Sequence, residues 1–302
     1  AQMIGTVQQD SASSRMRVRA GSPGDLPQAA TSAELAQIRR ERHDRPPRTE
    51  VDSRLDIRED VPIRGNTGLT HLLEAAVNER TAALYINSPN NPTGHILPEE
   101  TIDAMLRVAE RHDLWVLCDE AYEEIYFGPS APSAVWRHPR AAGRSVVCHT
   151  LSKSFGYAGA RVGVTHGPAE LMQSVQSMQT YQTYGAPRPM QFGGIQALRH
   201  GGNWMNESRA LYRDAGERAA AALGIAAPEA GTFLFANVSH LLSPSDTDSR
   251  PLLERCADRG VLLAPGRSCG KDFARWVRLC FTCVAPDVVQ RGVDRLARRI
   301  GR

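Results

Sequence analysis

The sequence has few lysines, little net charge and no long apolar run. Its 36 lysine and arginine residues include only two lysines, and its formal charge is +3 over 302 residues. Such a small charge gives no support for binding to nucleic acid or to a membrane surface. No apolar run approaches the roughly 20 residues that span a bilayer, and the polar N-terminus has no signal-peptide core. We therefore expect a cytoplasmic protein without nucleic-acid or membrane partners.

The two lysines, Lys153 and Lys271, stand in a sequence that otherwise uses arginine for positive charge. Arginine keeps its proton near neutral pH, whereas a desolvated lysine can become a neutral amine that adds to a carbonyl. Lys153 lies within residues 149–163, which continue through a glycine-rich bend to Arg161. Such a stretch can hold an aldehyde and a phosphate together. A bias in composition also explains the scarcity of lysine, so this interpretation depends on what surrounds Lys153.

Six cysteines are present, and none is expected to bind a metal. They are Cys118, Cys148, Cys256, Cys269, Cys280 and Cys283. Only Cys280 and Cys283 have the C-x-x-C spacing, and the second pair that a zinc site of four thiolates requires is missing. We therefore predict no metal site and six reduced thiols, most of them buried inside apolar segments.

Residues 1–50 lack regular apolar periodicity and are rich in Ser, Gln, Arg and Pro. Charges of both signs are mixed through residues 38–48, and Pro46 and Pro47 end any helix that begins at Ser32. We interpret residues 1–50 as a solvated N-terminal arm that does not bind nucleic acid.

Strand-like and helical segments alternate from about residue 51. Short β-rich runs at residues 82–87, 114–118 and 145–148 predict buried parallel strands, and a helix that starts at Pro98 separates the first two. This order predicts an α/β fold with a mostly parallel sheet and helices on both of its faces. In such sheets, ligands bind beyond the carboxyl ends of the strands.

The pattern changes after a long predicted helix that follows a pair of glycines. Strands at residues 232–238 and 276–281, followed by a C-terminal helix with apolar residues at helical spacing, predict a small α+β unit. We therefore place a domain boundary near residue 203. It separates a large domain of residues 51–203 from a small C-terminal domain of residues 204–302.

Polar residues follow each of the three predicted parallel strands. Residues 87–94 read Asn-Ser-Pro-Asn-Asn-Pro-Thr-Gly, residues 119–122 read Asp-Glu-Ala-Tyr, and residues 150–153 read Thr-Leu-Ser-Lys. Taken singly, the first is an ordinary turn sequence and the second is compatible with a solvated acid at a strand end. Together, with an arginine eight residues beyond the lysine, they resemble the fold type I pyridoxal 5′-phosphate enzymes. The resemblance is specifically to the class I/II aminotransferase family, over about residues 51–302.

This resemblance implies a homodimeric aminotransferase with the PLP-transferase fold and with pyridoxal 5′-phosphate as its cofactor. Lys153 would bind the cofactor aldehyde and would then move a proton during the reaction. Asp119 would pair with the pyridine nitrogen and keep it protonated, which makes the ring an electron sink. Asn91 and Tyr122 would donate hydrogen bonds to the phenolic oxygen of the ring.

Further positions match the phosphate- and substrate-binding residues of the family. Arg161 and Thr150 correspond to phosphate ligands, and Ser152 is a weaker candidate for the same role. Arg278 matches the arginine that binds the α-carboxylate of the substrate, and it does so better than its neighbour Arg275. The implied substrates are an amino acid and a 2-oxo acid.

The resemblance leaves several alternatives open. Residues 184–187 match a loop that contacts the neighbouring subunit's cofactor in this family, but a plain surface loop is an equal alternative. Before residue 51, the ring-stacking aromatic residue of the family is not recognisable, and residues 3–9 resemble its glycine-containing phosphate loop only faintly. Another reaction of the same cofactor on an amino acid, such as elimination, decarboxylation or oxidative deamination, is one alternative to transamination. A non-catalytic member of the family is the other.

Overall fold

The computed structural model describes residues 66–300 of the protein, so the predicted arm at residues 1–50 lies outside the described residues. The helices are α1 Asn66–Ala76, α2 Glu99–Arg111, α3 Leu151–Ser154, α4 Ala169–Thr183, α5 Arg188–His200, α6 Gly202–Leu223, α7 Arg250–Ala257 and α8 Pro286–Ile300. The strands are β1 Ala83–Asn87, β2 Trp115–Asp119, β3 Ser145–Thr150, β4 Gly163–His166, β5 Phe233–Asn237, β6 Ala264–Pro265 and β7 Trp276–Cys280. Between residues 66 and 300, no helix combines the length and apolar character needed to cross a membrane.

The first sheet contains β1, β2, β3 and β4 in that order. The first three strands are parallel, and β4 runs antiparallel to β3. The three predicted parallel strands are thereby confirmed, although β2 continues to Asp119 and β3 to Thr150. The register pairs Asn87 of β1 with Asp119 of β2, so the polar ends of neighbouring strands meet at one edge of the sheet.

Helices α1 and α2 belong to the hydrophobic core on one face of this sheet. Pro98 precedes α2 and two glutamates occupy its first turn, which confirms the predicted start of this helix. The apolar side chains of α2 lie on one side of the helix and pack against alternate residues of the strands. Among the core residues that are at most 1% exposed are Ile102, Leu106, Val108, Val116 and Val147.

The opposite face of the same strands is accessible to solvent. Successive side chains of a strand point to opposite faces, and those on this face include Tyr85, Trp115 and Leu117, which are 62%, 41% and 42% exposed. The prediction that the strands are buried is therefore wrong for this face of β1 and β2, whereas Val146 of β3 on the same face is buried. The reason is that the core containing α1 and α2 covers only the alternate positions.

The second sheet has the strand order β5-β7-β6, and both pairs are antiparallel. Helices α6 and α8 pack against each other, and both contribute to the core under this sheet. The most buried residues of this core include Ala219, Leu234, Phe281 and Val293. The strands and the C-terminal helix predicted for the small α+β unit are confirmed. The domain boundary near residue 203 stays a prediction.

Cys118, Cys148, Cys256, Cys280 and Cys283 are free thiols, as predicted. Cys118 and Cys256 are buried, but Cys148 and Cys283 are exposed, so the expected burial of most of them is wrong for these two. Cys148 lies on the accessible face of the first sheet, and Cys283 follows the end of β7. An apolar sequence context therefore does not decide whether a strand residue is buried.

The packing of α2 predicts a large difference between a buried and an exposed leucine. Leu106 is completely buried, so Leu106→Ala should lower the free energy of unfolding by about 2–5 kcal/mol, because apolar contacts are lost and a cavity remains. Leu262 is 86% exposed, and Leu262→Ala should change the free energy by no more than about 0.5 kcal/mol. Urea denaturation followed by circular dichroism measures both. Equal losses in the two variants would contradict this description of the core.

Candidate active site

Lys153 lies on α3, a short helix that begins directly after β3. Thr150 is the N-cap of this helix, and its Oγ1 accepts a hydrogen bond from the Ser152 backbone N–H at 3.1 Å. The cap fixes the direction of the chain as it leaves the strand. The amine of Lys153 lies 5.7 Å from the centroid of the Tyr122 ring, so the segments after β2 and β3 lie close together.

Asp119 ends β2, and both of its carboxylate oxygens accept hydrogen bonds. The Ala121 backbone N–H donates to Oδ1 at 3.1 Å, and the Tyr85 hydroxyl donates to Oδ2 at 2.7 Å. Desolvation of its hydroxyl and the hydrogen bond to the Asp119 carboxylate raise the pKa of Tyr85 above its usual range, so the phenol keeps the proton that it donates. Sequence reasoning missed Tyr85. Its position two residues before Asn87, on the same face of β1, is the signal that could have found it.

Tyr122 is buried, and the ring of Phe233 packs against it. The two rings meet edge to face, with centroids 6.0 Å apart and an angle of 71° between their planes. The guanidinium of Arg278 lies 4.3 Å from the centroid of the same Phe233 ring. Phe233 was not predicted as a site residue, yet it contacts both Tyr122, which follows β2, and Arg278 of β7.

A hydrogen bond joins Asn91 to Arg278. An N–H of the Arg278 guanidinium donates to Asn91 Oδ1 at 2.9 Å, and the Asn91 backbone N–H donates to Asn87 Oδ1 at 2.9 Å. Arg275 is used differently, because its guanidinium donates to Ser239 Oγ at 3.2 Å and to a backbone carbonyl at 2.9 Å. Of the two arginines, Arg278 is therefore the one brought to the strand ends of the first sheet.

The predicted phosphate ligands are Arg161, Thr150 and Ser152. Arg161 has a left-handed backbone with φ 57° and ψ 48°, and its side chain donates to the Ala158 carbonyl at 2.9 Å. The hydroxyl oxygen of Thr150 accepts the helix-cap hydrogen bond, and Ser152 is half-buried.

Glu120, Glu123, His149 and His166 form a second polar cluster, which was not predicted. Its Glu120 is buried, which raises the pKa of this carboxyl to about 7. Burial lowers the pKa of His149, but the hydrogen bond from His149 Nδ1 to Glu123 at 2.7 Å and the charge of Glu123 outweigh it, so this pKa is raised. Burial and the charge of His149 lower the pKa of His166 to about 4, so His166 is neutral and accepts from His149 Nε2 at 3.1 Å.

A cavity of about 370 Å³ lies against the second sheet, far in sequence from Lys153. Its lining includes apolar residues such as Leu234 and Leu279 and the basic residues Arg255 and Arg259. None of the predicted site residues lines it. The predicted residues instead lie around the strand ends of the first sheet, where Asn91 meets Arg278, and this region is the candidate active site.

Comparisons with known proteins agree with this arrangement. The sequence profile of the family described as aminotransferase class I and II matches residues 64–296. An aspartate aminotransferase of Musicola paradisiaca is 30% identical over 235 residues, which cover 76% of this chain and 58% of the relative. An arginine–pyruvate transaminase of Pseudomonas aeruginosa is 29% identical over 72% of this chain and 57% of its own. The chain thus spans less than two thirds of the length of these relatives.

Solved structures are similar over the same part of the chain. The N-succinyldiaminopimelate aminotransferase of Mycobacterium tuberculosis has a TM-score of 0.70 and is 28% identical, over 76% of this chain and 61% of its own. The aspartate aminotransferase of Thermus thermophilus with maleate has a TM-score of 0.67 and is 27% identical, again over 76% of this chain. These neighbours confirm the predicted PLP-transferase fold. The profile match covers well over half of the sequence, and the chain belongs to the class I and II aminotransferase family.

Proposed function

We propose that this chain forms the catalytic part of an aminotransferase that exchanges the amino group of an α-amino acid with a 2-oxo acid. The observation that carries the proposal is the Asn91–Arg278 hydrogen bond, which brings an arginine of the second sheet beside the strand ends that hold Asp119 and Lys153. Relatives are named for aspartate, for LL-diaminopimelate and for arginine, which are three different amino acids. We therefore state the substrate at the level of the α-amino acid.

Pyridoxal 5′-phosphate is the cofactor of this family, and the residues around Lys153 fit it. The cofactor needs an amine for its aldehyde, an acceptor for its protonated ring nitrogen and donors for its phenolic oxygen. Lys153, Asp119 and the pair Tyr122 and Asn91 meet these needs in one region. When bound, the protonated ring withdraws electrons from the substrate carbon that loses and gains a proton.

Each of these residues has a separate task in the proposed reaction. Asp119 keeps a proton on the ring nitrogen, and the Tyr85 hydroxyl holds Oδ2 of this carboxylate in place. Lys153 takes the proton from the substrate Cα as a general base. It then acts as a general acid and delivers a proton to the C4′ position. Arg278 binds the substrate carboxylate, because a guanidinium presents two parallel N–H donors to two oxygens. The ring of Phe233 packs against the Arg278 guanidinium and helps to hold its orientation.

We assign the cofactor phosphate to Arg161, with Thr150 and Ser152 as hydroxyl donors. Arg161 ends a turn that follows α3, so its charge is available beside this helix. One guanidinium and two hydroxyls supply few donors for a dianion. The faintly matching loop at residues 3–9, which would add backbone donors, lies outside the described residues.

We further propose a homodimer, located in the cytoplasm. In α4, a helix of 15 residues, only Met172 and Gln179 are buried. Apolar side chains on α4, α5 and the loop between them are exposed, and these are Met178, Tyr181, Tyr184, Met190, Phe192 and Leu198. Tyr184 is 91% exposed and begins the loop that resembles the family's subunit contact. Apolar side chains in such number favour burial against a second copy of the chain.

The first test uses the fact that the chain has only two lysines. The purified protein should gain visible absorbance with pyridoxal phosphate, and borohydride should then fix the cofactor on Lys153. Lys153→Ala should lose the fixed label and turnover, whereas Lys271→Ala should retain both, because Lys271 lies outside the site. Peptide mapping by mass spectrometry measures the label. A label on Lys271, or turnover by Lys153→Ala, would refute the role of Lys153.

The same preparation separates the alternative reactions. Transamination converts the bound cofactor to its pyridoxamine form when an amino acid is added, and a 2-oxo acid restores it. Release of ammonia or carbon dioxide without that form would favour elimination, oxidative deamination or decarboxylation. A protein that forms no absorbing complex with the cofactor would be a non-catalytic member of the family.

Arg278 and Arg275 form a matched pair for testing substrate binding. Arg278→Gln should raise KM for the amino acid by about 100-fold, because a charge-assisted pair of hydrogen bonds to the carboxylate is lost. Arg275→Gln should leave KM nearly unchanged, since its guanidinium binds Ser239 and a backbone carbonyl. Steady-state kinetics with amines that lack the carboxylate provide the control. An equal increase for such amines would show that Arg278 does not bind this group.

The proposed dimer is tested by placing a charge among the exposed apolar residues. Phe192 is 59% exposed on α5, so Phe192→Asp should shift the protein from dimer to monomer, because burial of an unpaired carboxylate is unfavourable. Leu262→Asp is the control, since Leu262 is more exposed and lies outside α4 and α5. Sedimentation velocity measures the mass of each. A monomeric wild-type protein would contradict the proposal directly.

A further inference from the structure

Three potential metal ligands lie together next to the segments that hold Asp119 and Lys153. They are the carboxylates of Glu120 and Glu123 and the imidazole of His149, and one atom from each lies within 4.8 Å of the other two. Both glutamates follow β2, and His149 belongs to β3. The cluster therefore joins two of the three strand ends from which the proposed active site is built.

Glu120 is the member of this cluster that most needs a further partner. Its side chain is only 3% exposed, and its Oε1 accepts a hydrogen bond from the Val135 backbone N–H at 2.9 Å. Its Oε2 is buried without a hydrogen-bond partner among the described residues and lies 4.0 Å from His149 Nδ1. A buried carboxylate oxygen without a partner is destabilising. An ion between Glu120 and His149 would supply that partner.

The distances in the cluster suit a four-coordinate divalent ion. Zinc bonds to nitrogen and oxygen are about 2.0–2.2 Å long, so two ligand atoms of a tetrahedral site are about 3.4 Å apart. His149 Nδ1 lies 2.7 Å from Glu123 Oε1 and 4.0 Å from Glu120 Oε2, one distance below and one above this value. Small side-chain rotations are therefore enough. A plain His149–Glu123 ion pair explains the shorter distance but leaves Glu120 Oε2 without a partner.

The other nitrogen of His149 has the kind of partner that a metal-bound histidine uses. His149 Nε2 lies 3.1 Å from His166 Nε2, and the two rings are stacked with centroids 5.2 Å apart. A histidine that binds a metal through one nitrogen commonly donates its other N–H to an outer acceptor, which fixes the ring. His166 thus holds Nδ1 of His149 toward the carboxylates. The side chain of Glu123 is 33% exposed and leaves a path for an ion and a water ligand.

We propose that Glu120, Glu123 and His149 bind a divalent transition-metal ion, with water as the fourth ligand. Zn²⁺ is the ion best matched by imidazole and carboxylate ligands in a four-coordinate site. The ion replaces the proton between His149 and Glu123 and links the segment after β2 to β3. Its role is structural, because it restrains the strand ends that carry Asp119 and Lys153. The sequence-based prediction of no metal site considered only the spacing of cysteines.

Zinc titration of the whole protein tests this site. The protein is treated with a chelator, dialysed and titrated with Zn²⁺ by isothermal calorimetry, both with and without pyridoxal phosphate. One ion per chain should bind. Glu120→Gln should weaken binding by at least about 10–100-fold, since loss of even an outer partner of a metal ligand has an effect of this size. Glutamine keeps an oxygen for the Val135 N–H, and circular dichroism checks that the variant folds.

Two controls keep this experiment decisive. Glu124→Gln removes a carboxylate that is adjacent in sequence but outside the cluster, so Zn²⁺ should bind this variant as it binds the wild type. Co²⁺ added to the wild type should give the strong visible absorbance of a four-coordinate ion, and Zn²⁺ should displace it. Absence of one-to-one binding, or equal Zn²⁺ affinity of the wild type and Glu120→Gln, would overturn the site. Borohydride labelling of Lys153 does not depend on this result, so the two proposals fail separately.

Discussion

The parallel pairing of β1, β2 and β3 is the constraint on which the rest of the site depends. Parallel strands end at the same edge of a sheet, and neighbouring strands are about 4.8 Å apart. The register that opposes Asn87 to Asp119 therefore sets where each following segment begins. Asn91, Tyr122 and Lys153 come from three such segments, and none of these segments alone has enough polar groups to hold an aromatic cofactor. These residues converge because the sheet fixes where their segments begin, and no single loop brings them together.

The second sheet contributes to the same region through one aromatic ring. Phe233 lies on β5. Its ring packs edge to face with Tyr122, which follows β2, and the guanidinium of Arg278 on β7 lies over the face of the same ring. A rigid ring between two polar side chains holds both in place without competing for their hydrogen bonds. This contact and the Asn91–Arg278 hydrogen bond join the candidate site to the second sheet, and Phe127, which follows β2, also packs against Phe281 of the second core.

The parts of the molecule that were predictable are those that local patterns specify. Apolar runs and helix signals identified β1, β2, β3 and α2, and the order of the motifs placed Asp119 and Lys153 at the ends of β2 and β3. The bond from Tyr85 to Asp119, the burial of Glu120 and the exposure of Cys148 were not predictable. Each of them depends on which face of a strand another element covers, and that is decided by contacts between residues far apart in the chain. A strand pattern with apolar residues on both faces leaves that choice open.

The hydrogen bond between Asn91 and Arg278 joins residues that are 187 positions apart. During synthesis on the ribosome, the segments that contain Asn91, Asp119 and Lys153 emerge well before β7 does. A nascent chain therefore contains the proposed cofactor-binding residues before it contains Arg278, the cation that we propose for the substrate carboxylate. With the role proposed for Arg278, selection for a carboxylate on the substrate begins only when β7 has been translated and paired.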